Sequence, residues 1–204
     1  MSAHIYLEGG GGSKELDIRC REGFRKLLQS CGFEEQRRMP RLFASGGRDS
    51  AFDDFSNAHA NNPAGEYIAM WIDSEEPLAD DENTWEHLNN VTTVSRWNRP
   101  AGASDDQVLF MTTCMETLLV SDHDSLRRYF GNKLQEPSLP PLVNLEHRSR
   151  QDIQNQLVHA TRECPKAYSK GKQSFEILAM LTPVVLERYL PSFRRVRRIL
   201  NEKL

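Results

Sequence analysis

His4-Ile5-Tyr6-Leu7-Glu8-Gly9-Gly10 is a short apolar run that stops abruptly in a carboxylate, and Met70-Trp71-Ile72-Asp73-Ser74-Glu75 repeats the event with two. Between these runs helix and strand patterns alternate. Lys14 to Ser30 carries Leu16, Ile18, Cys20, Phe24, Leu27 and Leu28 in a helical stripe, and Gly32 is its natural stop. Leu42-Phe43-Ala44 is a second strand candidate, punctuated by Gly46-Gly47. Asp49 is placed to cap a helix that passes through Phe52 and Phe55 towards Asn61, where Asn62-Pro63-Ala64-Gly65 ends it. Tyr67 to Ile72 is the third strand. This β-α-β-α-β order, with connections long enough for parallel crossovers, predicts an α/β fold. Right-handed crossovers pack the helices on the sheet and gather the strand ends at one edge. There Glu8, Asp73 and Glu75 would share a divalent metal.

The rest of the chain divides less cleanly. Pro77 to Ala103 is polar and irregular, with Trp85, His87, Trp97, Arg99 and Pro100 in what looks like a surface loop or flap. Val108-Leu109-Phe110 favours a strand, and Met111 to Val120 either continues it or turns helical; periodicity does not separate the two. Asp124 to Phe130 is a helix ended by Gly131, and Pro137 to Pro141 marks a second loop. Arg150 to Arg162, Ser174 to Leu181 and Val184 to Leu204 make a helical final third. The expected organisation is an α/β core over residues 1–130, with a helical extension over 131–204 packed on it.

Composition narrows the function classes. A chain of 204 residues with 38% apolar and 27% charged residues can bury a core of its own. A formal net charge of −3 offers no global attraction to nucleic acid or membrane, so a polyanion needs a local basic patch or a metal. Cys20, Cys31, Cys114 and Cys164 show no C-x-x-C spacing, which argues against a zinc ribbon or redox motif and for reduced thiols. Met1-Ser2-Ala3-His4 leads straight into a strand-like segment with no signal-peptide pattern. No apolar run approaches the roughly 20 residues that a membrane-spanning helix needs. A cytoplasmic protein is expected.

The run Gly9-Gly10-Gly11-Gly12-Ser13-Lys14 has the wrong order for a P-loop. Glycines here let the chain turn sharply after the strand and leave room beside Glu8, and amides at a helix start can face a phosphate. The i, i+2 spacing of Asp73 and Glu75 puts both side chains on one side of an extended strand end. A hard cation such as Mg²⁺ uses one or two carboxylates together with substrate phosphate. Ligands of open α/β sheets bind beyond the carboxyl ends of the strands, where strand order reverses. Asp105 and Asp106 are candidate helix caps. Lys170 and Lys172 flank Gly171 ahead of a helix that Ser174 would cap. One of these lysines could reach a phosphate as a point charge, with Lys172 preferred. Arg194-Arg195-Val196-Arg197-Arg198 is either a solvated helix face or a contact for phosphate backbone. His59, His87, His123, His147 and His159 have no zinc-like spacing, and no Ser-His-Asp arrangement is legible.

A strand ending in Glu-Gly, a second βα unit, and a third strand ending in an acidic pair resemble the Toprim domain. The chain looks similar to an uncharacterised bacterial family within the Toprim-like superfamily, related to the overcoming-lysogenization-defect type nucleases and often encoded beside an ATPase of the AAA or ABC type. The closer likeness rests on Tyr6-Leu7-Glu8-Gly9-Gly10-Gly11, Gly102-Ala103-Ser104-Asp105-Asp106-Gln107, Met115-Glu116-Thr117 and Lys170-Gly171-Lys172-Gln173-Ser174-Phe175-Glu176. It implies a Rossmann-like, mostly parallel sheet and a metal-dependent nuclease acting on DNA or RNA, the effector of an ATPase-linked anti-phage system. Glu8, with Lys172, would act at the scissile phosphate, and Glu8, Asp73 and Glu75 would hold Mg²⁺ or Mn²⁺. Glu116 and Asp122 would add a second metal position, unless Glu116 simply faces solvent from a helix. Arg194, Arg195, Arg197 and Arg198 would contact nucleic acid. The partner ATPase follows from resemblance alone, and a homo-oligomer stays open. The departure is Asp-x-Glu where Toprim domains usually show Asp-x-Asp, which suits an alternative: a catalytically silent module that binds the ATPase or nucleic acid.

Overall fold

The computed structural model describes residues 3–62 and 65–204. Strands β1 (Ala3–Glu8), β2 (Arg41–Gly46), β3 (Tyr67–Asp73) and β4 (Val108–Met111) form one sheet in the order β2-β1-β3-β4. Every neighbouring pair is parallel. Helix α1 (Lys14–Ser30) connects β1 to β2, and α2 (Arg48–Ala60) crosses back over β1 to reach β3. The fold is α/β, as the alternation predicts, and its all-parallel sheet is Rossmann-like. Met1-Ser2 and the Pro63-Ala64 part of the expected helix stop lie outside the described residues.

Why β3 reads as an unbroken apolar run is clear from its place in the sheet. Both faces are covered, so every one of its residues is buried. Tyr67, Ala69 and Trp71 share a core with Cys20, Phe24 and Leu27 of α1, and Trp71 meets the Phe24 ring edge-on at 4.9 Å between centroids. Ile68, Met70 and Ile72 share the opposite core with Ala51 and Phe55 of α2. Helix α1 starts where Ser13 accepts the Leu16 amide at 3.2 Å, with Glu15 and Asp17 in the first turn complementing the helix dipole.

Several local expectations change. Helix α2 begins directly after the Gly46-Gly47 turn, so Asp49 lies inside its first turn and Gly47 is the cap. The polar 77–103 segment is not a plain flap: it holds α3 (Thr84–Asn90), and Trp85 and Trp97 are buried in the α2-side core. The cap of α3 comes from Asp105, whose Oδ1 accepts the Trp85 amide at 3.0 Å and the Thr84 hydroxyl at 3.1 Å. Asp105 is thus a cap, but for a helix some 20 residues upstream of it rather than for the apolar segment that follows. That segment splits into β4 and a wholly buried helix α4 (Met115–Ser121).

Helix α5 (His123–Phe130) ends at Gly131, and α6 (Arg150–Thr161) is capped by Ser149, which accepts the Asp152 amide at 3.1 Å. Helix α7 (Lys172–Leu178) starts at a Gly171 cap, so Ser174 is not the cap; its hydroxyl reaches back to accept the Gly171 amide at 3.1 Å. The last expected helix is two, α8 (Pro183–Tyr189) and α9 (Pro191–Lys203). Pro191 has no amide hydrogen to continue α8 and suits the first turn of α9. These C-terminal helices join the α1-side core rather than forming one of their own. Gly23 of α1 lets α7 pack closely: a Cβ there would sit 2.8 Å from the Phe175 carbonyl oxygen of α7. Among the described residues no helix is long and apolar enough to cross a membrane.

Candidate metal centre

The chain leaves β1 towards β2 on one side and leaves β3 towards β4 on the other, so strand order reverses between β1 and β3. A crevice opens at such a reversal, beyond the carboxyl ends of the strands. Glu8 ends β1 and Asp73 ends β3. A register shift between Leu7 and Glu8 accompanies the end of β1, and Glu8 Oε2 accepts the Asp73 amide at 2.9 Å. Asp73 Oδ1 accepts the Met115 amide at 2.8 Å, at the start of α4. Glu75 follows two residues on, in a left-handed conformation (φ 68°) that ends the extended run. One oxygen from each of Glu8, Asp73 and Glu75 lies within 4.8 Å of the others. Three hard oxygen donors this close could bind a metal ion.

Bringing like charges together in a buried place costs energy, and proton affinities record it. Burial raises Asp73 well above the ordinary carboxylate range and the Glu8 charge adds to the rise, while Arg150 and Lys170 oppose it. Burial also raises Glu8, against the Asp73 amide that stabilises its charged form, and the Glu75 charge raises it further. Arg150, the first residue of α6, relieves part of this repulsion. Its Nη2 lies 3.4 Å from Asp73 Oδ2, and its Nη1 is ion-paired with Glu75. Burial alone would loosen the Arg150 proton, but the Glu75 bond and the Asp73 charge outweigh it and tighten it.

The crevice is a cleft of about 300 Å³, with Glu8, Asp73, Gly46, Gly47, Lys170 and Phe175 among its walls. The glycine run forms its floor by turning sharply. At Gly10 (φ 80°) a Cβ would sit 2.6 Å from Asp17 Oδ1, the same oxygen that accepts the Gly11 amide at 2.8 Å. The Gly9 amide donates to the Gly46 carbonyl at 2.8 Å. Two amides of the run are therefore occupied inside the protein, and the run makes room beside Glu8 more than it cradles an anion.

The family model described as Domain of unknown function (DUF4276) matches residues 7–201. The chain belongs to this family. The match takes in Glu8, Asp73, Glu75, Arg150 and Lys170, so the whole candidate centre lies inside the DUF4276 domain. No curated protein and no solved structure matches the chain.

Other residues singled out in the DUF4276 sequence fall elsewhere. Lys172 is exposed and faces Glu176 at 4.0 Å; Lys170 is the lysine in the cleft wall, and its charge acts on Glu8, Asp73 and Glu116. Glu116 is fully buried, not solvent-facing, and accepts from the Tyr168 hydroxyl at 2.8 Å and Gln154 Nε2 at 3.2 Å. Burial pushes its carboxyl up, but Lys170, Tyr168 and Gln154 together hold it below the ordinary range. It lies outside the three-carboxylate group.

Asp122 also lies outside that group, because it caps α5: it accepts the Ser125 amide at 3.0 Å, the Ser125 hydroxyl at 2.7 Å and the Thr182 amide at 2.9 Å. The arginine cluster is not one open basic face. Arg195 is buried and donates to the Val108 carbonyl at 2.9 Å and the Asp105 carbonyl at 2.8 Å. Arg194 donates to the Glu187 carbonyl at 2.9 Å. Arg197 pairs with Glu187 at 2.6 Å and Arg198 with Glu82 at 2.7 Å. Arg150 carries no local sequence signal, because what makes it part of the site is tertiary; Lys170 stands in the Lys170-Gly171-Lys172 motif.

Proposed function

We propose that the chain is a hydrolase of phosphodiesters in DNA or RNA that depends on Mg²⁺ or Mn²⁺. The observation that carries this reading is the meeting of Glu8, Asp73 and Glu75 at the strand-order reversal, within 4.8 Å of one another and beside an open cleft. A divalent cation held there supplies charge neutralisation for the phosphoryl oxygens. Water adds to phosphorus, the bond to the leaving oxygen breaks, and that oxygen takes a proton. Glu8, whose carboxyl burial makes readier to hold a proton, is the group to give or take one in the cleft. Lys170 brings a positive charge to the same wall, in place of Lys172. Arg150 holds Asp73 and Glu75 in position between turnovers. The Toprim-like resemblance supports a nuclease serving as the effector of an ATPase-linked anti-phage system in the cytoplasm, with an AAA or ABC type ATPase as partner.

The test is cleavage of labelled DNA and RNA by the full chain with Mn²⁺, alone and with its partner ATPase, beside Glu8→Gln. Metal-dependent cleavage reduced by about 10²-fold or more in the variant is the expected result. Equal cleavage by both proteins would overturn the assignment. One observation favours the second reading, a silent binding module: Arg150 pairs with both Asp73 and Glu75. That reading predicts unchanged ATPase binding by Glu8→Gln and no cleavage by either protein.

A further inference from the structure

Arg48 is a buried cation that the proposed chemistry leaves without a task. It opens α2 and follows directly on Gly46 and Gly47, which line the cleft. Only 8% of its surface is exposed. Its guanidinium lies on the Trp97 ring at 3.7 Å, and Trp97 in turn stacks on Phe52 at 4.4 Å and 7°. Nη1 donates to the Ser95 carbonyl at 2.9 Å. Nε and Nη2 are buried and have no partner among the described residues. Those two nitrogens form the edge of a guanidinium that grips two oxygens of one phosphate or carboxylate in parallel.

Leaving two charged donors unmet is costly unless something else meets them. Bulk water does not reach them. Burial loosens the proton on this guanidinium, and the Glu8, Glu75, Asp49 and Asp73 charges oppose that loss. No hydrogen bond joins it to any of these carboxylates among the described residues. The start of α2 adds to the same place. Its cap, Gly47, has no side chain to accept the first-turn amides, and a 13-residue helix directs its positive end there. Asp49 is the one acidic residue in that first turn, and its charge also acts on the guanidinium.

We infer that Arg48 and the α2 amino terminus form a phosphoryl subsite directly behind Gly46 and Gly47, which line the cleft. The guanidinium grips two non-bridging oxygens of the phosphate through Nε and Nη2, and turns in its own plane on Trp97 to do so. This deepens the proposed function and rests on it for the chemistry, but the subsite itself is defined by anion binding alone. Arg48 then positions the phosphate between a cationic wall and the carboxylate centre, which a sulfate-free, metal-free protein can already reveal.

The probe is inorganic phosphate, titrated into the full chain by calorimetry with and without Mn²⁺, beside Arg48→Lys. Lysine keeps the charge and loses the two-pronged edge. Saturable phosphate binding weakened about tenfold or more in Arg48→Lys, with Mn²⁺ binding retained, is the expected result. Equal phosphate binding by both proteins, or none by the wild type, overturns the subsite. Should Arg48→Lys not fold, the tryptophan emission of the wild type serves instead. Phosphate should shift it saturably because Arg48 lies on Trp97, and no shift overturns the inference. The two readings fail separately. Arg48-dependent phosphate binding without any Mn²⁺ binding sinks the metal-dependent hydrolase and leaves the subsite; Mn²⁺ binding with Arg48-independent phosphate does the reverse.

Discussion

Arg150 reaches Glu75 from 75 positions along the chain and holds together carboxylates that would otherwise repel. Replacing it with methionine leaves Asp73 and Glu75 facing each other without their counter-charge. We expect Arg150→Met to lose about 3 kcal/mol of stability in chelator, and to recover more on adding Mn²⁺ than the wild type gains. Calorimetric melts with and without Mn²⁺ check this; equal metal-induced shifts in the two proteins contradict it.

Glu146 makes a different residue-scale prediction. It accepts the amide and hydroxyl of Ser192 at the start of α9, and burial pushes its carboxyl from 4.5 to about 7 despite those bonds and Arg194, with Asp81 adding to the rise. The folded state therefore holds this proton more tightly than the unfolded chain. Its contribution is complete below about pH 4.5 and is lost as pH rises through about 7. Glu146→Gln should keep its melting temperature across that window while the wild type falls relative to it; parallel curves contradict the assignment. Glu8, Asp73 and Glu75 were legible because each sits where an apolar run breaks. Arg150 was not, since nothing local distinguishes a helix-opening arginine that pairs with distant carboxylates from one in solvent.

Among the elements, β1, α1, β2, α2 and β3 follow from local signals: apolar runs, a helical stripe, and glycine or proline punctuation. Helix α3 escapes because its cap, Asp105, lies beyond it in sequence and joins it only through the fold. The α8–α9 break has a local signal in Pro191, which an apolar periodicity running through Val184 to Leu204 masks. The contact between α1 and α7 gives this scale its prediction. Gly23→Ala would push a methyl to 2.8 Å from the Phe175 carbonyl oxygen, a backbone atom that cannot swing aside. Helix propensity alone would favour alanine by about 1 kcal/mol. Overpacking of about 1–3 kcal/mol should win, lowering the urea midpoint. A raised midpoint would mean that α7 yields freely.

Across the whole molecule, the candidate centre draws on β1, β3, the Glu75 turn and α6, and its cleft adds the Lys170 loop and α7. Residues 131–204 are thus a wall of the site and part of the main core, which a division into core and extension does not convey. Net charge and composition point to no metal site; the parallel order brings two acidic strand ends together at a reversal of strand order, where a metal ion could bind. The direct test is a calorimetric titration of the full chain with Mn²⁺ beside Asp73→Asn, which keeps an oxygen to accept the Met115 amide and removes the charge. Saturable binding in the wild type that is lost in Asp73→Asn is the predicted result. Identical heats in the two proteins would reduce Glu8, Asp73 and Glu75 to an Arg150-bound structural cluster and contradict a metal centre at the strand ends.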